Sequence, residues 1–251
     1  MLLEQIGRAA EIMRSSERIV ALTGAGFSRP SGIPDFRSDA GLWSRYDPAE
    51  VASLSGFQRN PRRFFDWFLP LLDMIEAALP NAAHHALAEL ERCGRVSAVI
   101  TQNIDGLHHR AGSREVYELH GHLRSATCIE CGHQIPAAPA IRSMRSRRAL
   151  RCSCGGLIKP DVVLFDELLP RGLYWLARRA VETCDALVVA GTALEVFPVG
   201  ELPQVARRSG AKVIILNQSA THFDPYTDVV VRADVAEVLP ELAERAVGAS
   251  V

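Results

Sequence analysis

Residues 19–37 read IVALTGAGFSRPSGIPDFR, and this segment says more about the fold than any other. Its first residues, 19–22, form a short apolar run that is typical of a buried parallel strand. The run leads into Thr-Gly-Ala-Gly, where Gly24 and Gly26 can adopt backbone angles closed to other residues and leave space for a ligand. Backbone N–H groups exposed by such a turn suit an anion such as a pyrophosphate. The segment therefore predicts a buried strand followed by a phosphate-binding loop.

The loop departs from the usual dinucleotide fingerprint G-x-G-x-x-G, because Arg29 stands where the third small residue is expected. No second strand ending in an acidic residue follows at the usual distance. Residues 31–37 are instead rich in polar, aromatic and glycine positions. Taken alone, Gly24-x-Gly26 fits a purely structural turn as well as it fits a nucleotide site.

Five short apolar runs alternate with helical patterns along the chain. The runs are continuous, which is typical of a parallel sheet covered on both faces. Alternation of strands and helices favours an α/β, doubly wound, Rossmann-like fold, in which ligands bind at the carboxyl ends of the strands. The predicted strands are 19–23, 96–101, 186–190, 212–216 and 228–231, and the predicted helices are 2–15, 61–79 (interrupted at Pro70), 82–93, 171–183, 203–208 and 235–247.

Composition bounds the class of protein. The 251 residues suffice for one sizeable domain with a small insertion, and 48% hydrophobic with 23% charged residues is an ordinary globular balance. The formal net charge of -1 gives no overall attraction to nucleic acid or to a membrane surface. Residues 2–15 are amphipathic, and no apolar run approaches the ~20 residues that cross a bilayer. We therefore expect a cytoplasmic protein without a signal peptide, a membrane partner or a nucleic-acid partner.

Two stretches interrupt the strand-helix alternation, and both belong to a predicted smaller module inserted in two pieces. Residues 40–79 make a long excursion after the first strand, and residues 122–160 have little periodicity. The predicted large domain comprises residues 1–39, 81–121 and 161–251, and the small domain has a helical part, 40–80, and a cysteine-rich part, 122–160.

The locally basic residues 142–151 predict a solvated loop, with an acidic partner or a DNA backbone as the alternative.

Four cysteines in the second insertion have the spacing of a metal site. Cys128-x-x-Cys131 is followed, after 20 residues, by Cys152-x-Cys154. Two tight pairs at this separation predict a tetrahedral structural zinc ion and hence a zinc ribbon, although C-x-C is rarer than C-x-x-C. Free thiols are the alternative, and His133 is a conceivable substitute ligand. Four thiolates would fill the coordination shell, which argues against catalytic zinc.

Polar residues follow the predicted strand 96–101. Gln102, Asn103 and Asp105 stand at its end, where buried polar groups need partners. Asn103 and Asp105 could hold a ribose or a carboxamide, or they could cap the following turn. His120 ends another apolar run and is a candidate general base, with a structural, hydrogen-bonded histidine as the alternative.

Taken together, these motifs resemble those of the sirtuins, the NAD-dependent protein deacylases, over residues 2–239. The pattern is most similar to the bacterial and archaeal deacetylases. Its carriers, in order, are GAGFSRPSGIPDFRS (24–38), TQNIDGLHHRAG (101–112), ELHG (118–121), the two cysteine pairs, KPDVVLFDE (159–167), GTALEVFPVGELP (191–203) and LNQS (216–219).

The resemblance implies that the large domain binds NAD as a co-substrate and that zinc has a structural role. It implies catalytic roles for His120, as the base, and for Asn103. Phe36 is implied to shield the reacting sugar from water. The implied NAD contacts, from pyrophosphate loop through nicotinamide pocket to adenine site, are Gly24, Ala25, Gly26, Ile33, Asp35, Phe36, Arg37, Gln102, Asn103, Ile104, Asp105, His120, Gly191, Thr192, Ala193, Asn217, Gln218 and Val235.

The implied reaction is NAD-dependent removal of an acyl group from lysine, which yields nicotinamide, deacylated lysine and O-acyl-ADP-ribose. The implied partners are acylated-lysine proteins or peptides, bound as an added strand between two segments. A mono-ADP-ribosyltransferase and a non-catalytic, NAD-sensing, zinc-containing scaffold are the alternatives, and the oligomeric state is left open, a monomer included. The substrate-binding residues implied are Val162, Val163, Leu164, Phe165, Asp166, Glu167, Glu195, Val196 and Phe197.

Three residues depart from the family's pattern. Asp166 stands where most members have glycine, Glu195 occupies an often apolar position, and Ala193 replaces a common serine. Neutral drift is one interpretation. The other is that Asp166 and Glu195 make the peptide groove acidic, so that basic residues flanking the modified lysine are preferred.

The aromatic residues 64–70 bear on which acyl group the protein prefers. This aromatic run lacks the Tyr-x-x-Arg pair of the desuccinylases, so an acidic acyl group is not expected. The run could line an apolar pocket for acetyl and longer chains, or it could simply pack as the core of a helix.

Overall fold

Nine strands and ten helices make up the part of the chain that the computed structural model describes, residues 2–35 and 46–248. The strands are β1 (Ile19–Thr23), β2 (Val96–Thr101), β3 (Val116–Glu118), β4 (Gly121–Cys128), β5 (Gln134–Pro136), β6 (Ile158–Val162), β7 (Ala186–Ala190), β8 (Lys212–Leu216) and β9 (Val229–Val231). The helices are α1 (Leu2–Ser15), α2 (Pro48–Val51), α3 (Leu54–Arg59), α4 (Pro61–Ala77), α5 (Ala82–Arg92), α6 (Leu107–Ala111), α7 (Ala137–Arg145), α8 (Arg171–Glu182), α9 (Leu202–Arg208) and α10 (Val235–Val247).

The large sheet is parallel and has the strand order β3-β2-β1-β7-β8-β9. The strand order reverses direction between β1 and β7, where Thr23 pairs with Ala190. In open α/β sheets such a switch point leaves a crevice at the carboxyl ends of the strands, and ligands bind there. The predicted doubly wound fold is confirmed, and the loops that follow β1 and β7 are the first place to look for a site.

Helices cover both faces of this sheet because its strands are apolar on both sides. Ile19 and Ala21 pack into a core that also contains residues of α1, α5 and α10. Val20 and Leu22 point the other way, into a core shared with α8 and α9. All five residues of β1 are buried, and only the last, Thr23, is polar.

The two insertions meet in a smaller module. The three-stranded antiparallel sheet β5-β4-β6 carries α7 on one side. Met144 of α7 packs into the aromatic core built by α3 and α4, where the rings of Phe64 and Phe68 stack at 4.8 Å. Helix α4 continues through Pro70 instead of stopping there, so the aromatic run forms one helix, 17 residues long.

Ion pairs tie part of the basic stretch to α4. Arg145 contacts Asp73 at 2.7 Å and Glu76 at 2.8 Å, and Arg147 pairs with Asp66. These arginines are therefore partly neutralised within the chain. Among the helices of residues 2–35 and 46–248, none combines the length and apolar character of a membrane-spanning helix.

Candidate active site

The loops that follow β1 and β7 pack backbone against backbone at the switch point. The Gly26 amide donates to the Gly191 carbonyl at 2.8 Å. A Cβ added to Gly26 would lie 2.9 Å from that oxygen, and one added to Gly191, whose φ is +64°, would lie 2.2 Å from the amide nitrogen of Phe27. Glycine is required at both positions because larger residues would force the two loops apart.

Asn103, Ser28 and Asp105 form a hydrogen-bonded group beside this loop. The Asn103 Nδ2 donates to the Gly24 carbonyl at 2.9 Å and to Ser28 Oγ at 3.1 Å, and Ser28 Oγ donates to Asp105 at 2.7 Å. The other Asp105 oxygen accepts from the Leu107 amide at 2.8 Å, so Asp105 also fixes the start of α6. Burial raises the pKa of Asp105, although the hydrogen bonds from Leu107 and Ser28 oppose the change. Sequence analysis did not single out Ser28.

A buried series of contacting side chains continues from Asn103 into the protein interior. The backbone amide of Asn103 donates to Thr101 Oγ1 at 3.0 Å. The same Thr101 oxygen accepts a hydrogen bond from Thr23 Oγ1 at 2.9 Å. Thr23 Oγ1 also lies 2.9 Å from His108 Nε2. The ring of His84 follows, with its centroid 4.8 Å from that of His108. Burial lowers the pKa of His108 and, with a smaller effect of His85, lowers the pKa of His84 to about 3.

His120 lies half-buried between the two sheets. The Leu119 amide donates to the Thr101 carbonyl at 2.9 Å, and the Val163 amide donates to the His120 carbonyl at 2.8 Å. Gly121 follows with a φ of +82°, and a Cβ there would lie 2.0 Å from the carbonyl oxygen of Asp161. The backbone of His120 is therefore held between the end of β2 and the end of β6.

One cavity of about 820 Å³ joins these features. It is lined by every predicted NAD-contact and substrate-binding residue that the structure describes, except Gly24. Gly24 is buried, and its carbonyl accepts the bond from Asn103. Phe36 and Arg37 lie outside the described residues. The assigned role of each residue stays a prediction, because shared lining does not show what each residue binds.

Some residues that line the cavity were not predicted from the sequence, or were predicted only as one of two alternatives. Trp67, Phe68, Leu71 and Ile75 line it from α4, so this helix is both core and wall. Arg29 lies beside the loop, 3.4 Å from an Asp35 oxygen. The motif around Gly26 contained Arg29 and Ser28, but no local pattern distinguished them as parts of the site.

The segment 162–167 is fixed by its own acidic residues. Glu167 accepts from the Leu164 amide at 2.7 Å and pairs with Lys159 at 3.0 Å. Asp166 accepts from the amides of Leu54 at 2.7 Å and Ser55 at 3.2 Å, at the start of α3. Neither interpretation of Asp166 from the sequence included this contact.

The four cysteines of the ribbon converge on one point. All four Sγ atoms lie within 4.8 Å of one another, with Cys128–Cys154 at 3.5 Å and Cys131–Cys152 at 3.7 Å. Tetrahedral zinc with four thiolates at ~2.3 Å requires S–S separations of about 3.8 Å. The donor set therefore fits a structural zinc ion, and His133 does not belong to the ligand cluster found among the described residues.

Comparison with known proteins assigns the family. The family model described as "Sir2 family" matches residues 24–198, more than half of the chain. The chain belongs to the Sir2 family. The predicted sirtuin resemblance is thereby confirmed.

Archaeal Sir2 relatives cover almost the whole chain. A protein of Archaeoglobus fulgidus named NAD-dependent protein deacylase 2 is 47% identical over 243 residues, which is 96% of this chain and 96% of that protein. A protein of Pyrobaculum aerophilum named NAD-dependent protein deacetylase 1 is 44% identical over 96% of this chain and 95% of that protein.

Solved Sir2 structures have the same fold. One, described under the mechanism and regulation of Sir2 enzymes, has 46% identity and a TM-score of 0.91, covering 97% of this chain and 98% of that one. A Sir2 homologue in complex with NAD has 40% identity and a TM-score of 0.87, covering 96% and 93%. Sir2Af2 bound to a myristoylated histone peptide has 40% identity and a TM-score of 0.81, covering 97% of both chains.

Proposed function

We propose that this Sir2 protein is an NAD-dependent protein-lysine deacetylase (deacylase) that produces nicotinamide, deacylated lysine and O-acyl-ADP-ribose. The observation that most supports this function is that one cavity is lined by the loop after β1, the Asn103 group, His120 and the segment 162–167. Relatives named as deacylases and deacetylases, and a homologue solved with NAD, support the same activity.

The cavity residues fit NAD in position and in chemistry. Ala25 and Gly26 stand at the turn after β1, where the absence of large side chains lets a pyrophosphate approach the backbone. Asn103 and Asp105 would hold the nicotinamide end. Gln218, whose amide group donates to Asp234 at 3.2 Å, would border the adenine end.

NAD, when bound, would supply the electrophilic ribose carbon that accepts the substrate's acyl oxygen and the nicotinamide that serves as leaving group. His120 accepts a proton from a ribose hydroxyl at its imidazole, because a neutral imidazole is a base at neutral pH. The bond of the Leu119 amide to Thr101 and the bond of the Val163 amide to the His120 carbonyl support the backbone that carries this imidazole. Apolar residues of the cavity, such as Ile104 and Phe68, exclude water from the reacting atoms.

We propose acylated-lysine proteins or peptides as the substrates, bound along residues 162–167 and 195–197. Trp67, Leu71 and Ile75 extend the cavity with an apolar wall, which suits uncharged acyl groups from acetyl to long chains. A Sir2 neighbour solved with a myristoylated peptide supports the long-chain end of this range.

The remaining proposals concern organisation and location. We propose the domain division given from the sequence, and structural zinc on the four cysteines that holds the ribbon together. A cytoplasmic location is consistent with six cysteines that form no disulfide among the described residues. A monomer can act alone, because residues of one chain line the cavity.

The deciding experiment mixes the protein with NAD and an acetyl-lysine peptide and measures nicotinamide release. We expect release that depends on the peptide, formation of free O-acetyl-ADP-ribose, and loss of both in His120→Ala. His85→Ala, an exposed histidine on α5, is the matched control and keeps the activity. Covalent ADP-ribose on protein would indicate a transferase instead, and binding of NAD without turnover would indicate a scaffold.

A further inference from the structure

Asp166 has an unusual backbone. Its φ is +61°, in the left-handed region that disfavours residues with a Cβ, although aspartate tolerates it better than most. Glycine would adopt this conformation freely. An aspartate in such a position is retained most simply if its side chain makes contacts that glycine cannot make.

Those contacts join two elements that are distant in sequence. The carboxylate of Asp166 accepts from the first two amides of α3, those of Leu54 and Ser55, at 2.7 and 3.2 Å. Next to it, the Phe165 amide donates to the Ala52 carbonyl at 2.9 Å, and the Leu54 amide also donates to the Phe165 carbonyl at 3.0 Å. The end of segment 162–167 is thus bonded to α3 through both backbone and side chain.

The other end of the segment is bonded to the catalytic region. The Val163 amide donates to the His120 carbonyl at 2.8 Å, and Lys159 and Glu167 hold the turn between the two ends. The segment therefore spans a fixed interval between His120 and α3. Removing the Asp166 carboxylate leaves the backbone bonds of Phe165 in place, so that end of the segment is held less firmly relative to His120.

We infer that Asp166 is a positioning residue that sets the place of the peptide-binding segment 162–167 by anchoring it to α3. The inference rests on the proposed function, because that function assigns the peptide to this segment. Asp166 acts through the backbone and takes no part in the chemical step, so its loss weakens peptide binding more than turnover.

The charge state of Asp166 supports this role. Partial burial raises its pKa, but hydrogen bonds from Ser55 and Leu54 lower the pKa more, so that the net value lies below the ordinary one. The group is therefore a carboxylate at neutral pH, the form that accepts both amide bonds. The same bonds hold its charge at α3, which removes part of the reason to expect an acidic groove.

Two substitutions and a control test the inference by steady-state kinetics. Asp166→Gly fits the backbone angle but loses both carboxylate bonds, of which only the one from Leu54 is backed by a second acceptor, the Phe165 carbonyl. We expect the peptide KM to rise about fivefold, the effect of about one net hydrogen bond, with kcat and the KM for NAD within about twofold. Asp166→Asn keeps one carboxamide oxygen and should fall between wild type and Asp166→Gly. Ser53→Ala removes the other cap of α3, the bond to the Gly56 amide at 2.9 Å, and leaves the bonds of the Asp166 carboxylate and the backbone pairing of Ser53 with Phe165 in place.

Three outcomes would overturn the inference. The first is an unchanged peptide KM in Asp166→Gly. The second is an equal rise in Ser53→Ala, which would mean that only the stability of α3 matters. The third is a fall in kcat alone.

Amide hydrogen exchange gives a readout that does not depend on the activity. We expect the Ser55 amide to exchange faster in Asp166→Gly than in the wild type, whereas the Leu54 amide keeps its bond to the Phe165 carbonyl. Unchanged exchange at Ser55 would show that the side-chain anchor does not exist. If the wild-type protein shows no peptide-dependent turnover while exchange behaves as expected, the proposed function fails and the anchor stands.

Discussion

The amide of Val163 donates a 2.8 Å hydrogen bond to the carbonyl of His120, so the peptide-binding segment and the proposed base share one backbone contact. Gly121 lets the chain turn at this point, because its φ of +82° and its missing Cβ fit against Asp161. A substrate strand added along residues 162–167 would therefore rest on the same support as the imidazole. Peptide placement and proton transfer depend on this junction together.

Ser28 should matter to NAD use although it is not a catalytic group. Ser28→Ala removes the hydroxyl that bridges Asn103 and Asp105 and leaves the buried Asp105 with one bond fewer. We expect kcat/KM for NAD to fall about tenfold to a hundredfold, the loss typical of a hydrogen bond to a charged group. Steady-state nicotinamide release at varied NAD measures it. Ser31→Ala, in the same loop but bonded to Asn81, should change kcat/KM little, and an equal loss in both variants would contradict the assignment.

Zinc should determine stability and not chemistry. The four cysteines do not line the cavity, so metal loss acts through the ribbon and its contacts with α7. We expect about one zinc per chain by elemental analysis, and a lower melting temperature after chelation or in Cys152→Ser. Cys93→Ser, an exposed thiol outside the cluster, should keep both the metal and the melting temperature. A purified chain without metal whose six thiols all react freely would contradict the site.

Acid should destabilise the fold through His84. Folded His84 stays neutral down to its pKa of about 3, whereas the unfolded chain takes up that proton near pH 6.5. The unfolded state then binds more protons between these values, so the free energy of unfolding falls as the pH falls, by about 1.4 kcal/mol per pH unit for each such histidine. Urea unfolding from pH 7 to pH 5 measures the slope. We expect a shallower slope in His84→Gln and an unchanged one in His85→Gln, because His85 is exposed.

The preference for flanking residues should depend on Glu195. Glu195 is an exposed carboxylate in the lining of the cavity, along the proposed path of a bound peptide. We expect peptides with Arg flanks to be turned over about two- to fourfold better than peptides with Glu flanks, since exposed charges contribute about 1 kcal/mol or less. Glu195→Gln should remove the difference, and raised salt should weaken it. Equal turnover of both peptides by the wild-type protein would contradict a preference set by Glu195.

Acyl-chain length should be limited by α4. Ile75 lines the cavity, and Ile75→Trp would fill part of it. We expect turnover of a myristoyl-lysine peptide to fall about tenfold or more, with acetyl-lysine turnover within about twofold, because only a long chain reaches this wall. Met74→Trp, on the neighbouring and partly exposed position, is the control. Equal effects of Ile75→Trp on both peptides would place the acyl chain elsewhere.

The parallel sheet was predictable because its strands are continuous apolar runs. β1, β2, β7 and β8 have the predicted bounds, and β9 begins one residue later than predicted. β3 was missed because Val116 and Tyr117 are only half-buried and the strand has three residues. The small sheet was missed because its strands β4, β5 and β6 show no regular alternation of buried and exposed residues.

The site was predictable where function places unusual residues at strand ends, as with Asn103 and His120. It was not predictable where the partner is remote: Asp166 binds an amide 112 residues away, and no local pattern signals that pair. For a similar reason, the sequence did not decide whether α4 lines a pocket or only packs as core. Helical spacing identifies an apolar face, but it does not tell whether that face meets protein or a cavity.

The packing of Met144 against the aromatic core of α3 and α4 has a consequence for protein synthesis. The ring cluster around Phe64 leaves the ribosome before α7, its cover from the second insertion, has been made. A nascent chain arrested before residue 137 would carry the ring cluster without this part of its cover and would be a client for a chaperone until α7 emerges.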